Sequence, residues 1–96
     1  MTERRCKVLA TKAARKDVSR APREVQDRFY AWVDAVEKIG LRETRKNPGL
    51  HDEKLHGDRA HQRSVRLGGK WRAIYVETED KQMTVLTVEE VTPHAY

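Results

Sequence analysis

Eight side chains in this sequence are of the types that break a phosphodiester bond in RNA: Glu53, Lys54, Arg63, Arg66, Lys70, Arg72, His94 and Tyr96. Attack of a ribose 2′-hydroxyl on its own phosphate needs a base for the hydroxyl proton. It also needs cations for the extra negative charge of the phosphorane and an acid for the departing 5′-oxygen. An aromatic ring can hold a base out of its stack. Glu53 and His94 suit the acid and base roles, Arg66 and Arg72 the charge, and Tyr96 the stacking, with Lys54, Arg63 and Lys70 as further cations along an RNA strand. This chemistry requires no metal and no cofactor.

Each of these residues also has an ordinary structural reading. Glu53 could be a solvated carboxylate paired with Lys54 or Arg59, and Arg66 and Arg72 could pair with Glu77 or Glu89 across a sheet. Lys54 and Arg63 could be plain surface charges, and His94 and Tyr96 a frayed end. His51, His56 and His61 lie in a stretch without thiols, which argues against a zinc site. Spacing alone does not choose between these readings.

The element that must position the arginines is Gln62 to Val76, QRSVRLGGKWRAIYV. Two apolar-alternating runs around Gly68 and Gly69 predict a β-hairpin, because glycine reaches positive φ without a Cβ clash. A two-residue Gly68-Gly69 loop would set Arg66 opposite Trp71. A three-residue loop of Gly68, Gly69 and Lys70 with a bulge would set Arg66 opposite Arg72, with Ser64, Arg66, Arg72 and Ile74 on one face. Like charges directly opposed destabilise a sheet, so the second register invites an anionic ligand, and it is the one expected.

Before the hairpin, Cys6 to Ala10 reads as a strand and Thr11 as the cap of a helix from Lys12 to about Ser19, with Ala14 and Val18 on one face. Ala21-Pro22 opens a second helix with Pro22 at its first position. Its apolar stripe is Val25, Phe29, Trp32, Val33, Val36 and Ile39, and Gly40 stops it. Phe29 and Trp32 read as core. Leu41 to Ala60 shows no periodicity and is expected to be a polar loop pinned by Leu50 and Leu55, which would hold Glu53 and Lys54 between them. Gln82 to Val91 alternates, with Met83, Val85 and Thr87 on one side, as the last strand of a meander. The expected architecture is one α+β domain over residues 1–96: an N-terminal strand, a two-helix hairpin packed on an antiparallel sheet, and a C-terminal three-stranded meander.

Composition is consistent with that plan. Ninety-six residues with 38% apolar content allow one modest core. Twenty Lys and Arg against 15 Asp and Glu give +5 and a pI near 9.6. That balance fits a polyanionic partner, of which nucleic acid is the usual one, and equally a soluble basic surface. The single cysteine, Cys6, cannot form an internal disulfide and reads as buried filler, so a reducing cytoplasm is the natural setting. No apolar run reaches membrane-spanning length, and MTERRCKVLA lacks the features of a secretory signal.

Taken together, the helix pair ending near Gly40, Glu53-Lys54-Leu55 followed by Gly57, the run SVRLGGKWRAIY from Ser64 to Tyr75, and a last strand leading to His94 and Tyr96 resemble the RelE/ParE superfamily of bacterial type II toxins. In the active region the chain is most similar to the YoeB/HigB-type mRNA interferases. The resemblance implies a RelE-like microbial RNase fold and a ribosome-dependent, metal-independent endoribonuclease that cuts mRNA in the decoding site and inhibits translation. It implies a cytoplasmic protein, monomeric when free and a hetero-oligomer with a cognate antitoxin. By position it gives Glu53 the role of general base and Arg66 and Arg72 that of holding the scissile phosphate, with His94 as general acid and Tyr96 orienting a nucleotide. Two features depart from the pattern. Ala95 separates His94 from Tyr96, which are adjacent in the YoeB branch. Ser64 and Val65 stand where RelE-type enzymes carry further basic residues. The same fold also serves ParE-like gyrase poisons, which have no need of His94 and Tyr96. A non-catalytic relic would bind RNA or ribosomes in a salt-dependent way without products.

Overall fold

The computed structural model describes residues 5–93. Strand β1 (Arg5–Ala10) leads directly into α1 (Lys12–Arg20), as the cap at Thr11 requires. Thr11 Oγ1 accepts the Ala14 N–H at 3.0 Å and donates to the Glu89 carbonyl at 3.4 Å, so one hydroxyl both caps α1 and ties it to the last strand. Thr11→Ala is expected to lower stability by about 1–2 kcal/mol in urea unfolding, with Thr11→Ser close to wild type.

Helix α2 (Arg23–Ile39) buries Val25, Phe29, Trp32 and Val36 along one stripe. Pro22 stands one position earlier than expected: at ψ 150° it is the N-cap residue, outside the helix, and Arg23 is the first helical residue. Ile39, at the end of the stripe, is 50% exposed because the chain turns away at Gly40. Gly40 has φ 90°, a conformation that suits glycine, and its N–H closes on the Val36 carbonyl at 3.0 Å.

The stretch after Gly40 is more ordered than its lack of periodicity suggested. It contains a short helix α3 (Leu41–Arg45), 3-10 turns at Pro48–Leu50 and Gly57–Arg59, and a two-residue strand β2 (Glu53–Lys54). Asn47 Oδ1 accepts the Gly49 N–H at 2.9 Å and starts the first of those turns. Leu50 packs against the main core, while Leu55 is buried outside it. The two leucines do bracket Glu53 and Lys54.

Strands β3 (Arg63–Gly68), β4 (Trp71–Asp80) and β5 (Met83–Thr92) form the expected meander in a five-stranded sheet of order β1-β5-β4-β3-β2. The sheet is antiparallel from β2 to β5, as expected, and mixed only through the N-terminal strand: β1 runs parallel to β5 from Arg5↔Met83 to Ala10↔Val88. The reason is topological. The chain leaves β1, covers one face with α1 and α2, and returns at the far side of the sheet, so the last strand ends beside the first and points the same way.

All three helices lie on one face. There Cys6, Val8, Val65, Ala73, Tyr75, Leu86, Val88 and Val91 meet Ala14, Val18, Phe29, Trp32 and Val36. A bulge between Ile74 and Tyr75 pairs Tyr75 with Val88 and Ile74 with Glu90, so Glu89 is the extra residue. That insertion lets Val88 and Val91 both face the core, although they differ in parity. Met83, Val85 and Thr87 share the other side of β5 and are half-buried. No helix among the described residues is long and apolar enough to cross a membrane.

Candidate active site

The hairpin adopts the expected register: Arg66 is directly opposite Arg72, and Ser64 is opposite Ile74. The turn itself differs in detail. It closes on Gly69 and Lys70, and Leu67 is the bulged residue between Arg66 and Gly68. Gly68 and Gly69 both have positive φ, and a Cβ on Gly68 would lie 3.2 Å from Arg28 Cδ, so the glycine lets the turn sit against α2.

Strand alternation sends Ser64, Arg66, Arg72 and Ile74 to the face away from the helices, since Val65 and Ala73 between them are core. Opposed residues have Cα atoms about 4.5–5.5 Å apart, so the two guanidinium-bearing chains are neighbours. Arg66 is exposed, and Arg72 is half-buried with Nη1 enclosed and lacking an acceptor. Ser64 Oγ is likewise buried without a partner. The carboxylates that could have neutralised the arginines are engaged elsewhere. Glu77 accepts from Arg45 Nη2 at 3.1 Å, and Glu89 accepts from Gln62 Nε2 at 2.7 Å. Among the described residues, no carboxylate pairs with Arg66 or Arg72.

Glu53 joins this face. It is the register partner of Ser64, and β2 is closed beyond it by the Leu55 N–H on the Gln62 carbonyl at 3.0 Å. Its half-exposed carboxylate lies 3.3 Å from His51 Nε2 and pairs with neither Lys54 nor Arg59. His51 has φ 45°, a left-handed conformation uncommon outside glycine. Arg59 instead donates to Gln62 Oε1 at 2.6 Å and lies 3.8 Å from Glu90 Oε2.

Lys54 and Arg63 do not join it. They are register partners of the opposite parity, on the helix side of the sheet with Tyr75. Arg63 Nε donates to Asp52 Oδ1 at 2.7 Å, so its charge is engaged inside the protein. Asp52 has a side chain only 1% exposed, and its Oδ2 accepts the Tyr75 hydroxyl at 2.6 Å and lies 3.5 Å from Arg45 Nε. Lys70 is exposed in the hairpin turn. His94 and Tyr96 lie outside the described residues.

The Asp52 cluster shifts its own titrations. Burial, then the Asp52 charge and the hydrogen bond to it, raise the Tyr75 phenol above its ordinary 10, against the opposing pull of Arg45. Burial opposes the Arg45 charge, but Tyr75, Glu77 and Asp52 more than offset it and hold the guanidinium more basic than usual. A phenol with a raised folded-state pKa binds its proton more tightly folded than unfolded. Its contribution is therefore complete below pH 10 and is lost as pH rises above it. Unfolding midpoints are expected to fall steeply above that pH, with a shallower fall in Tyr75→Phe; equal slopes in the two proteins would contradict the assignment.

Asp52, Arg45, Tyr75 and Ser64 were not identifiable as site residues from the sequence. Asp52 is one acid among eleven charged residues and histidines of a polar stretch, and only the pairing of β2 with β3 shows that it shares the parity of Arg63 and Tyr75. The one available signal was that Ser64 shares a face with Arg66 and Arg72 in the expected register.

The fold recurs in solved structures. The chain is similar to a chain of the E. coli DinJ-YafQ toxin-antitoxin complex, at 18% identity over 93% of this chain and 91% of that one, with a TM-score of 0.69. It is similar to a chain of the RelBE2 toxin-antitoxin complex of Mycobacterium tuberculosis, at 21% identity over 88% and 93% with a TM-score of 0.63. The YoeB dimer of Staphylococcus aureus gives 14% identity over 96% and 99% with a TM-score of 0.64. Neither a protein-family model nor a curated protein matches the sequence. At these identities the likeness is one of fold.

Proposed function

We propose that this chain, which has the fold of the RelE-like toxins, is the toxin of a bacterial toxin-antitoxin pair and an endoribonuclease that cleaves mRNA on the ribosome. The observation that carries this reading is the arginine pair, which no carboxylate among the described residues neutralises. Two cations directly opposed on a sheet face, one with a buried Nη1 and no acceptor, carry a stability cost that a bound anion would relieve. A phosphate has the charge and the oxygens to do so, and the guanidinium fork suits it.

In this reading Glu53 takes the proton from the 2′-hydroxyl, and Arg66 and Arg72 hold the phosphate and stabilise the phosphorane. The orphaned Ser64 hydroxyl donates a further hydrogen bond. His94 supplies the proton to the leaving 5′-oxygen, and Tyr96 stacks on a base. Lys70 beside the turn meets the strand electrostatically. The ribosome presents the mRNA, a cognate antitoxin covers the basic face, and the setting is cytoplasmic. The complexes of DinJ with YafQ and of RelBE2 support the antitoxin as partner.

The test mixes the purified protein with programmed ribosomes and maps mRNA 5′ ends by primer extension. Discrete cuts in the decoding site are expected. Intact mRNA from a folded, antitoxin-free protein would sink the nuclease and favour a gyrase poison of the same fold.

A further inference from the structure

We infer that Asp52 is the positioning residue for Glu53: its buried carboxylate, clamped by Arg45, Arg63 and Tyr75, fixes the short strand that presents Glu53 to the arginine pair. The inference rests on the nuclease reading for its kinetic consequence, though not for its structural one.

Little else holds Glu53 in place. Strand β2 has two residues, paired as Glu53↔Ser64 and Lys54↔Arg63 and closed by the Leu55 N–H on the Gln62 carbonyl at 3.0 Å, and a strand so short has little intrinsic persistence. It is entered through His51 at φ 45°, a conformation that does not favour the extended chain that follows. The Glu53 carboxylate is about half exposed, and its side-chain contact among the described residues is His51, itself half exposed. That contact would not hold a carboxylate against solvent to the tolerance that proton transfer needs.

Asp52, next in the chain, supplies the missing constraint. Its Oδ1 takes the Arg63 Nε at 2.7 Å, its Oδ2 takes the Tyr75 hydroxyl at 2.6 Å, and its main-chain carbonyl takes Arg63 Nη2 at 3.4 Å. Arg45 approaches the same carboxylate at 3.5 Å and is held in turn by Tyr75 at 3.0 Å and Glu77 at 3.1 Å. The anchors come from α3, β3 and β4, so they fix both the distance of the strand from the sheet and its rotation. With Asp52 turned inward, alternation turns Glu53 to the opposite face, where Ser64, Arg66 and Arg72 lie. A buried ion cluster generally stabilises a fold no better than apolar residues of the same volume. What it does supply here is direction, because charged hydrogen bonds admit one geometry where apolar contacts admit several. Arg63 thereby acts through Asp52, not on RNA.

The test compares Asp52→Asn, Tyr75→Phe, Arg63→Ala and Arg63→Lys with wild type by ribosome-programmed cleavage and by NMR. The NMR readouts are the cross-strand contacts Glu53–Ser64 and Arg66–Arg72. In folded Asp52→Asn, kcat is expected to fall about 100-fold with KM unchanged, as for a reacting group displaced by about 1 Å. The Glu53–Ser64 contact should weaken while Arg66–Arg72 persists. Arg63→Ala should behave likewise, with Arg63→Lys recovering most of the rate. Should Asp52→Asn fail to fold, Tyr75→Phe, which removes the hydrogen bonds to Asp52 and from Arg45 and no charge, carries the same readouts. Wild-type kcat with an intact Glu53–Ser64 contact would overturn the inference, and so would Arg63→Ala that raises KM alone, since Arg63 would then be an RNA ligand. A wild-type protein that cuts no mRNA would remove the nuclease reading; an unchanged Glu53–Ser64 contact in the variants would then refute the positioning role, and its loss would uphold it.

Discussion

Arg72→Ala is expected to lower ribosome-programmed mRNA cleavage by about 10²–10³-fold while leaving the protein folded, the loss typical of removing one preorganised donor to a developing oxyanion. The loss should appear in kcat, because the charge that Arg72 meets is greatest on the phosphorane. Its stability consequence runs the other way. In the free protein Arg72 Nη1 is buried without an acceptor, and Arg66 is directly opposite. Removing Arg72 relieves both a desolvated donor and a like-charge contact, so the melting temperature should stay equal or rise. Lowered activity with unchanged or higher stability is the signature of a residue kept for function. Arg72→Lys keeps the charge but loses the planar fork and should fall between. Unaltered cleavage in Arg72→Ala, or a large drop in melting temperature, would return the arginine to a structural role.

Trp32→Ala is expected to destabilise the protein by about 3–5 kcal/mol. Trp32 is 2% exposed, with ring centroids 6.2 Å from Phe29 and 5.4 Å from Tyr75, and it joins α2 to the middle of the sheet. At about 0.05–0.15 kcal/mol per residue, a 96-residue domain has roughly 5–14 kcal/mol in all, so this one truncation removes a large share. At about 4–8 °C per kcal/mol it should lower the melting temperature by roughly 12–40 °C. Trp32→Phe should be much milder, since the indole Nε1 is buried without a partner and its loss removes that penalty. The damage should also reach the site, because Tyr75, against which Trp32 packs, donates to Asp52. Urea unfolding of both variants checks this, and a cost for Trp32→Ala below about 1 kcal/mol would contradict the packing argument.

Both expectations concern residues that the sequence made visible, and for the same reason. Trp32 lies on an apolar stripe of helical period, and Arg66 and Arg72 flank a glycine turn that limits the hairpin to two registers. Thr11, Ala14 and Val18 were legible in the same way: caps, periodicity and turn chemistry act over a few residues and are written where they act. The polar stretch after Gly40 was illegible because its order comes from outside it. Helix α3 and β2 are too short to signal themselves and exist through contacts to β3, β4 and the core.

By itself, then, the sequence determined the two helices, the hairpin and its opposed arginines, the aromatic core and the basic balance of the chain, all set by local backbone preference and by the period of apolar residues. The tertiary structure alone decided the rest. The return of β5 beside β1 made the sheet mixed, and the extra residue at Glu89 set which residues of β5 are core. The pairing of β2 with β3 divided the basic residues between two faces, leaving Arg66 and Arg72 open with Glu53 while Arg63 turned inward to Asp52. These outcomes depend on register between segments distant in the chain, where a shift of one residue exchanges the two faces of a strand, and no local pattern encodes that choice.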